Sequence, residues 1–212
     1  MNRITDVLYQ IVAFIIRVIL RLNGGFEVIG RENIPAEGGG VIAANHISYL
    51  DPPVIGALVP RRATFMARKG LFDIPVLGWI IKHAAFPVDR EKTRPSTIKE
   101  TVKRLKSGEL VVIFPEGGRS DSGKLMEAKR GIGMVVRLSK VPVVPTLITG
   151  TNDALKVDAK WLSRARVTVV FGKPLYNTEG TEAEGSHVEA THEEISKNIM
   201  NKIAEMQQSY GN

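Results

Sequence analysis

The chain has no cysteine among its 212 residues, which excludes a disulfide-stapled scaffold, thiolate metal sites and a cysteine nucleophile. Aromatic residues are scarce, 6% of the total with four tyrosines, and no basic–aromatic repeat occurs. A nucleic-acid partner would find little to stack on, and none is expected. Near the amino terminus the longest uncharged run covers residues 7–16, well short of the ~20 residues that cross a bilayer. Several familiar enzyme loops are missing too: no Walker A lysine loop, no GxGxxG, no HExxH and no GxSxG elbow. No histidine cluster points to a metal, so neither a metal nor a resident cofactor is expected.

What is present fits one domain with a sizeable core, since 43% of the residues are hydrophobic. Positive charge dominates, at +7 overall, and it is unevenly spread. Residues 176–212 hold seven acidic and two basic side chains, which leaves the first 175 residues at +12. A body this basic faces something anionic: a phospholipid surface or a phosphorylated small molecule.

Residues 4–22 read as a helix of Ile, Val, Leu, Phe and Ala crossed by one polar stripe of Arg3, Asp6, Gln10, Arg17 and Arg21. Arg17 follows the apolar run directly and no small-residue cleavage site comes next, which makes a poor secretory signal. Two arrangements fit: a helix lying in a membrane interface with Arg17 and Arg21 reaching toward phosphates, or a helix packed on the domain core. The width of the apolar arc favours the first. The expected division is a membrane-anchoring helix over residues 1–25 and a catalytic body over 26–175. An acidic loop and terminal helix over 176–212 belong to that body.

After Asn23-Gly24-Gly25, short apolar runs alternate with helical spacing. Strands are predicted at residues 26–29, 40–44, 64–67, 110–114, 143–148 and 167–171, and helices at 52–58, 71–81, 95–106 and 131–139. Residues 193–208 form a terminal helix with Ile195, Ile199, Ile203 and Met206 on one face. The alternation predicts an α/β fold, a mixed and largely parallel sheet flanked by helices.

Four segments carry candidate chemistry. Asn45-His46-Ile47-Ser48-Tyr49-Leu50-Asp51 follows a predicted strand, where loops open at the sheet edge. His46 suits a general base, and Asp51, five residues on, suits the carboxylate that fixes its tautomer. Asp51-Pro52 also reads as a helix cap, one carboxylate oxygen capping while the other faces His46. Phe114-Pro115-Glu116-Gly117-Gly118-Arg119-Ser120 follows another strand and offers glycine N–H groups and a guanidinium fork for phosphate. On its own, that segment fits an ordinary strand-ending turn with a surface arginine better. Arg90 closes Phe86-Pro87-Val88-Asp89-Arg90. Arg61, Arg62, Arg68 and Lys69 stand near the apolar stretch containing Trp79, a pattern suited to a membrane interface, although Trp79 equally suits the core.

In this order the blocks resemble the glycerolipid acyltransferase family. Asn45, His46 and Asp51 match its NHxxxxD hallmark, and residues 114–120 match its FPEGTRS block with Gly118 in place of threonine. Ala84 to Arg90 is similar to a middle block ending in arginine, and Val141-Pro142-Val143-Val144-Pro145 to a proline-rich strand. Gly70 departs from the acidic residue usual after the basic pair.

The resemblance implies direct acyl transfer from a thioester, acyl-CoA or acyl carrier protein, to the sn-2 hydroxyl of lysophosphatidic acid. His46 is then the base and Asp51 its partner. Arg68, Arg90, Gly117 and Arg119 hold the phosphate, and Glu116 braces the loop or bonds the glycerol. The oxyanion falls to a backbone N–H or a bound water. A substrate that resides in a bilayer places the enzyme at an anionic membrane surface, peripheral or monotopic on the cytoplasmic face.

Overall fold

Short runs of Val, Ile and Ala build a seven-stranded sheet, and the residues flanking each run set its place. A computed structural model describes residues 3–88, 95–120, 122–156, 159, 161–176 and 190–211. Helix α1 (Arg3–Leu22) leads into β1 (Phe26–Ile29) and then β2 (Gly40–Ala44). Next come α2 (Asp51–Leu58), β3 (Ala63–Arg68), α3 (Leu77–Ile81), β4 (Ala85–Val88), α4 (Pro95–Lys106) and β5 (Leu110–Ile113). The chain continues through α5 (Gly131–Ser139), β6 (Val143–Thr149), α6 (Thr151–Ala154), β7 (Val167–Phe171) and α7 (His192–Tyr210).

The strands lie in the order β1-β7-β6-β2-β5-β3-β4. All neighbours are parallel except β6 and β7, which are antiparallel. Five strands therefore point their carboxyl ends to one edge, while β7 and β1 start from that edge. The mixed, largely parallel sheet read from the sequence is what the chain forms.

Alternation along β2 divides the core. Ile42 and Ala44 join Ile55, Leu58, Phe65 and Leu20 on one face, under α1 and α2. Val41 and Ala43 join Leu105, Ile132, Val136, Ile199 and Ile203 on the other, under α4, α5 and α7. Residues buried on both sides of a strand explain why these runs read as continuously apolar. α7 opens on a capping box in which Thr191 and Glu194 satisfy each other's backbone N–H.

α1 has three faces rather than two. Ala13 and Leu20 are buried, with Tyr9 and Ile16 beside them, against α2. The Tyr9 hydroxyl donates to the Gly56 carbonyl at 2.9 Å. A Cβ on Gly56 would stand 3.3 Å from that hydroxyl and 3.4 Å from the Phe65 ring, so glycine permits the close helix crossing. Asp6 leaves the expected outward stripe and pairs with Arg62 of the body at 2.8 Å. The third face, an arc of about 140° at 100° per residue, leaves Val7, Ile11, Phe14, Ile15, Val18, Ile19 and Leu22 exposed. The packing weighed for this helix is therefore present on one face, and a second apolar face is left uncovered. No helix among the described residues is long and apolar enough to cross a membrane.

Three sequence expectations change. The helix predicted at 71–81 is broken into a 3-10 turn (Lys69–Asp73) and α3. Pro75 cannot continue a helix, and Val76 beyond it takes φ 64°. β4 was not predicted, because four residues with a proline among them carry too little pattern. Trp79, offered as a core residue or an interface one, is 52% exposed. The predicted loop at 176–187 lies outside the described residues beyond Tyr176, and so does His187.

Candidate active site

The histidine–aspartate block, the glycine–arginine block and Arg68 come to the same edge of the sheet. β2, β3, β5 and β6 deliver His46, Arg68, the 114–120 loop and Thr151 there, because parallel strands carry their following loops to one side. Arg90, which follows β4, lies outside the described residues.

Asn45 fixes where β2 leaves the sheet. Its side-chain amide donates to the Ile148 carbonyl at 3.0 Å and accepts from the Ile148 N–H at 2.7 Å, copying one more backbone rung between β2 and β6. The next residue, His46, is therefore projected from a set position. Its ring stacks on Phe114 with centroids 4.2 Å apart, and its Nδ1 bonds Asp51 Oδ2 at 2.8 Å.

Asp51 is fully buried and both of its oxygens accept hydrogen bonds. Oδ2 also accepts the N–H groups of Ile47 at 2.7 Å and Ser48 at 2.8 Å, and Oδ1 accepts the Thr151 hydroxyl at 2.6 Å. With three other donors already on the carboxylate, a neutral His46 ring bonds it through an Nδ1–H. The capping role expected for Asp51 is overturned. It is itself the first residue of α2, after Leu50; Oδ2 turns back to the preceding loop and Oδ1 to Thr151, instead of the helix N–H groups. Pro52 still occupies the first turn, where its missing N–H does no harm.

Glu116 is a brace. Oε1 accepts the His46 N–H at 2.9 Å and Oε2 the Met126 N–H at 3.0 Å, so both oxygens serve backbone. Burial pushes its carboxyl above the ordinary value, and the two N–H groups draw it part of the way back. The Ser120 N–H donates to the His46 carbonyl at 2.8 Å, tying the two loops a second time. Gly117 sits at φ 71°, and a Cβ there would stand 2.6 Å from Lys129 Cδ. The loop thus needs glycine both for its turn and for the lysine laid across it. Arg119 is half-buried, its guanidinium 4.3 Å from the centre of the Tyr49 ring.

Beside His46 opens a cavity of about 120 Å³ running between the sheet and α4 and α5. Met66, Val88, Ile98, Ile113, Ile132 and Val135 make its walls largely apolar, while Thr97, Thr101, Lys129 and His46 bring polar side chains and Gly117 and Gly118 their backbone.

Sequence reasoning missed Thr151 and Lys129 and gave Asn45 no role. Thr151 carried one signal, a hydroxyl just after the carboxyl end of a buried strand. The two basic residues at 61 and 62 do not serve the site: Arg61 donates to the carbonyls of Pro35 and Gly108, and Arg62 to Asp6. Both precede β3 and so lie at the opposite edge.

The acyltransferase family model matches residues 25–149. A 1-acyl-sn-glycerol-3-phosphate acyltransferase of Bacillus subtilis (strain 168) is 33% identical over 206 residues, covering 94% of this chain and all of that one. A protein of the same description from Streptococcus pneumoniae is 28% identical, covering 85% of this chain and 70% of its own. The crystal structure of the 1-acyl-sn-glycerophosphate acyltransferase PlsC from Thermotoga maritima shares the fold. Its TM-score is 0.80 at 22% identity, covering 97% of this chain and 81% of that one. With its histidine–aspartate pair and glycine–arginine loop on one edge of that sheet, the chain belongs to the acyltransferase family.

Proposed function

We propose that this chain transfers a fatty acyl group from an acyl thioester to the sn-2 hydroxyl of lysophosphatidic acid, giving phosphatidic acid. The observation that carries the reading is the His46–Asp51 pair, 2.8 Å apart and locked by four donors on the carboxylate. With Nδ1–H engaged, Nε2 is the basic atom. It accepts the hydroxyl proton as the oxygen attacks the thioester carbonyl, and Asp51 stabilises the imidazolium that forms. Collapse of the tetrahedral adduct breaks the carbon–sulfur bond, and the imidazolium returns the proton to the departing sulfur.

Arg119, Arg68 and Arg90, with the Gly117 N–H, supply the charge and donors for the acceptor's phosphate, and Lys129 adds a cation across the same loop. The apolar cavity beside His46 supports a hydrocarbon chain lying between β5 and the α4–α5 pair. The thioester is acyl-CoA or acyl carrier protein. The exposed arc of α1 and the +12 body support docking on the anionic cytoplasmic face of a cell membrane.

Purified protein offered lysophosphatidic acid, glycerol-3-phosphate and other lysophospholipids, each with both donors, tests the acceptor. Lysophosphatidic acid is expected to be acylated, and its neglect in favour of glycerol-3-phosphate would refute the reading. His46→Ala is expected to lower kcat by about 10²–10⁴-fold while leaving vesicle binding intact. Undiminished turnover in that variant would remove the mechanism.

A further inference from the structure

The segment between α6 and β7 carries the most exposed large apolar side chain outside α1. Trp161 is 84% exposed and Leu162 43%. The backbone around them is firmly held. The Asn23 side chain donates to the Ser163 carbonyl at 2.7 Å, and the Ala165 N–H donates to the Asn23 carbonyl at 2.9 Å. The Ser163 N–H reaches the Ala154 carbonyl at 2.9 Å. Gly24 lies so close to Ala165 that a Cβ would stand 2.4 Å from its carbonyl oxygen. The indole is thus displayed two residues before a pinned stretch of backbone.

Its position joins two parts already described. Asn23 directly follows Leu22, the last residue of α1, which is 79% exposed. At the other end, the Leu155 carbonyl accepts the hydroxyl of Ser48, two residues past His46, and Thr151 of α6 holds Asp51. Trp161 and Leu162 therefore stand at the catalytic edge, where the outer face of α1 ends. Arg21, Lys156, Arg164 and Arg166 are exposed nearby, against Asp153 and Glu27, and Glu27 is already paired with Arg166 at 2.9 Å.

We infer that Trp161 and Leu162 form a second lipid-contacting point, which together with the outer face of α1 seats the catalytic edge against an anionic bilayer. The inference rests on the membrane-docked reading above and adds to it a defined contact. An indole has an apolar body and one N–H donor, which suits the boundary between acyl chains and headgroups. The surrounding cations suit phosphates of that surface. A helix alone leaves the chain free to roll about the helix axis, and a second contact at the active-site rim removes that freedom.

The chain has two tryptophans, so Trp79→Phe leaves Trp161 as the sole indole and Trp161→Phe leaves Trp79. Each variant is titrated with vesicles of phosphatidylcholine and phosphatidylglycerol, with and without bromine on the acyl chains near the headgroup. Trp161 emission is expected to shift to the blue and to be quenched by the brominated lipid. The double variant Trp161→Ala, Leu162→Ala is expected to bind vesicles about tenfold more weakly, with unchanged kcat on detergent-dispersed substrate. If the Trp79→Phe protein floats with vesicles while Trp161 emission stays unshifted and unquenched, the second contact is refuted and the membrane reading survives. If the whole chain fails to float, both fall. A blue shift that follows protein concentration without lipid would assign this surface to a second copy of the chain and overturn the inference.

Discussion

α1 and α7 are nearly equal in length, 20 and 19 residues, and cover opposite faces of the same sheet, yet they treat their apolar residues in opposite ways. α7 turns Ile195, Ile199, Met200 and Ile203 inward and leaves mainly polar side chains and Tyr210 to water. α1 turns Tyr9, Ala13, Ile16 and Leu20 toward α2 and still leaves seven large aliphatic or aromatic side chains exposed. One apolar face is what a helix needs to join a fold. A second one, opposite the first, calls for a second neighbour. Folding therefore accounts for all of α7 and for half of α1.

The contrast breaks or sharpens at specific residues. The largest effect is expected inside α7. Ile203→Ala should destabilise the fold by about 2–5 kcal/mol in urea titration, whereas Phe14→Ala on α1 should stay within about 0.5 kcal/mol. Equal losses would mean that the outer face of α1 is covered within the protein. Next, Phe14→Asp with Val18→Asp should cut vesicle retention about tenfold or more while the urea midpoint holds. Retention that survives both charges would leave that face without the role proposed for it.

Smaller still is the tether of α1 to the body. Arg62 pairs with Asp6 at 2.8 Å and donates to the His83 carbonyl. Arg62→Ala should cost about 1 kcal/mol, since the ion pair is partly exposed, and should raise amide exchange in α1 but not α7. Last comes the cap of α7. Thr191→Ala should cost about 1 kcal/mol. Bonds from Thr191 hold the Glu194 carboxyl below its ordinary 4.5. The carboxylate's share of the cap is thus complete above that value and is lost as pH falls through the lowered one. Acidification should therefore destabilise the native chain more than the Thr191→Ala variant in parallel acid titrations.

How much of this could be read in advance depended on distance along the chain. His46 and Asp51 are five residues apart, so one loop shows both, and the glycine–arginine block is contiguous as well. Thr151 stands 100 residues from the carboxylate it holds, and only the adjacency of β2 and β6 brings them together. Asp51 also shows how a local rule misleads. Asp before Pro is a sound cap signal, but the demand of His46 and two loop N–H groups for a carboxylate outweighs one helix N–H. The period of α1 revealed its faces, though not which would meet α2, because aliphatic residues serve a core and a bilayer equally well. β4 stayed hidden because Ala85-Phe86-Pro87-Val88 is too short to display a period. It is a strand because β3 offers it an edge to pair with.

The contact between Tyr9 and Gly56 has one further consequence. Gly56 lies five residues after Asp51 in α2, so the carbonyl that accepts the Tyr9 hydroxyl and the carboxylate that orients His46 sit on a single short rod. At 1.5 Å per residue that rod fixes about 7.5 Å between them. If α1 rests on a lipid surface as proposed, the height of His46 above that surface is a length built into the protein. Inserting or deleting one residue between Asp51 and Gly56 would alter that height and turn the carboxylate about 100° away from its histidine.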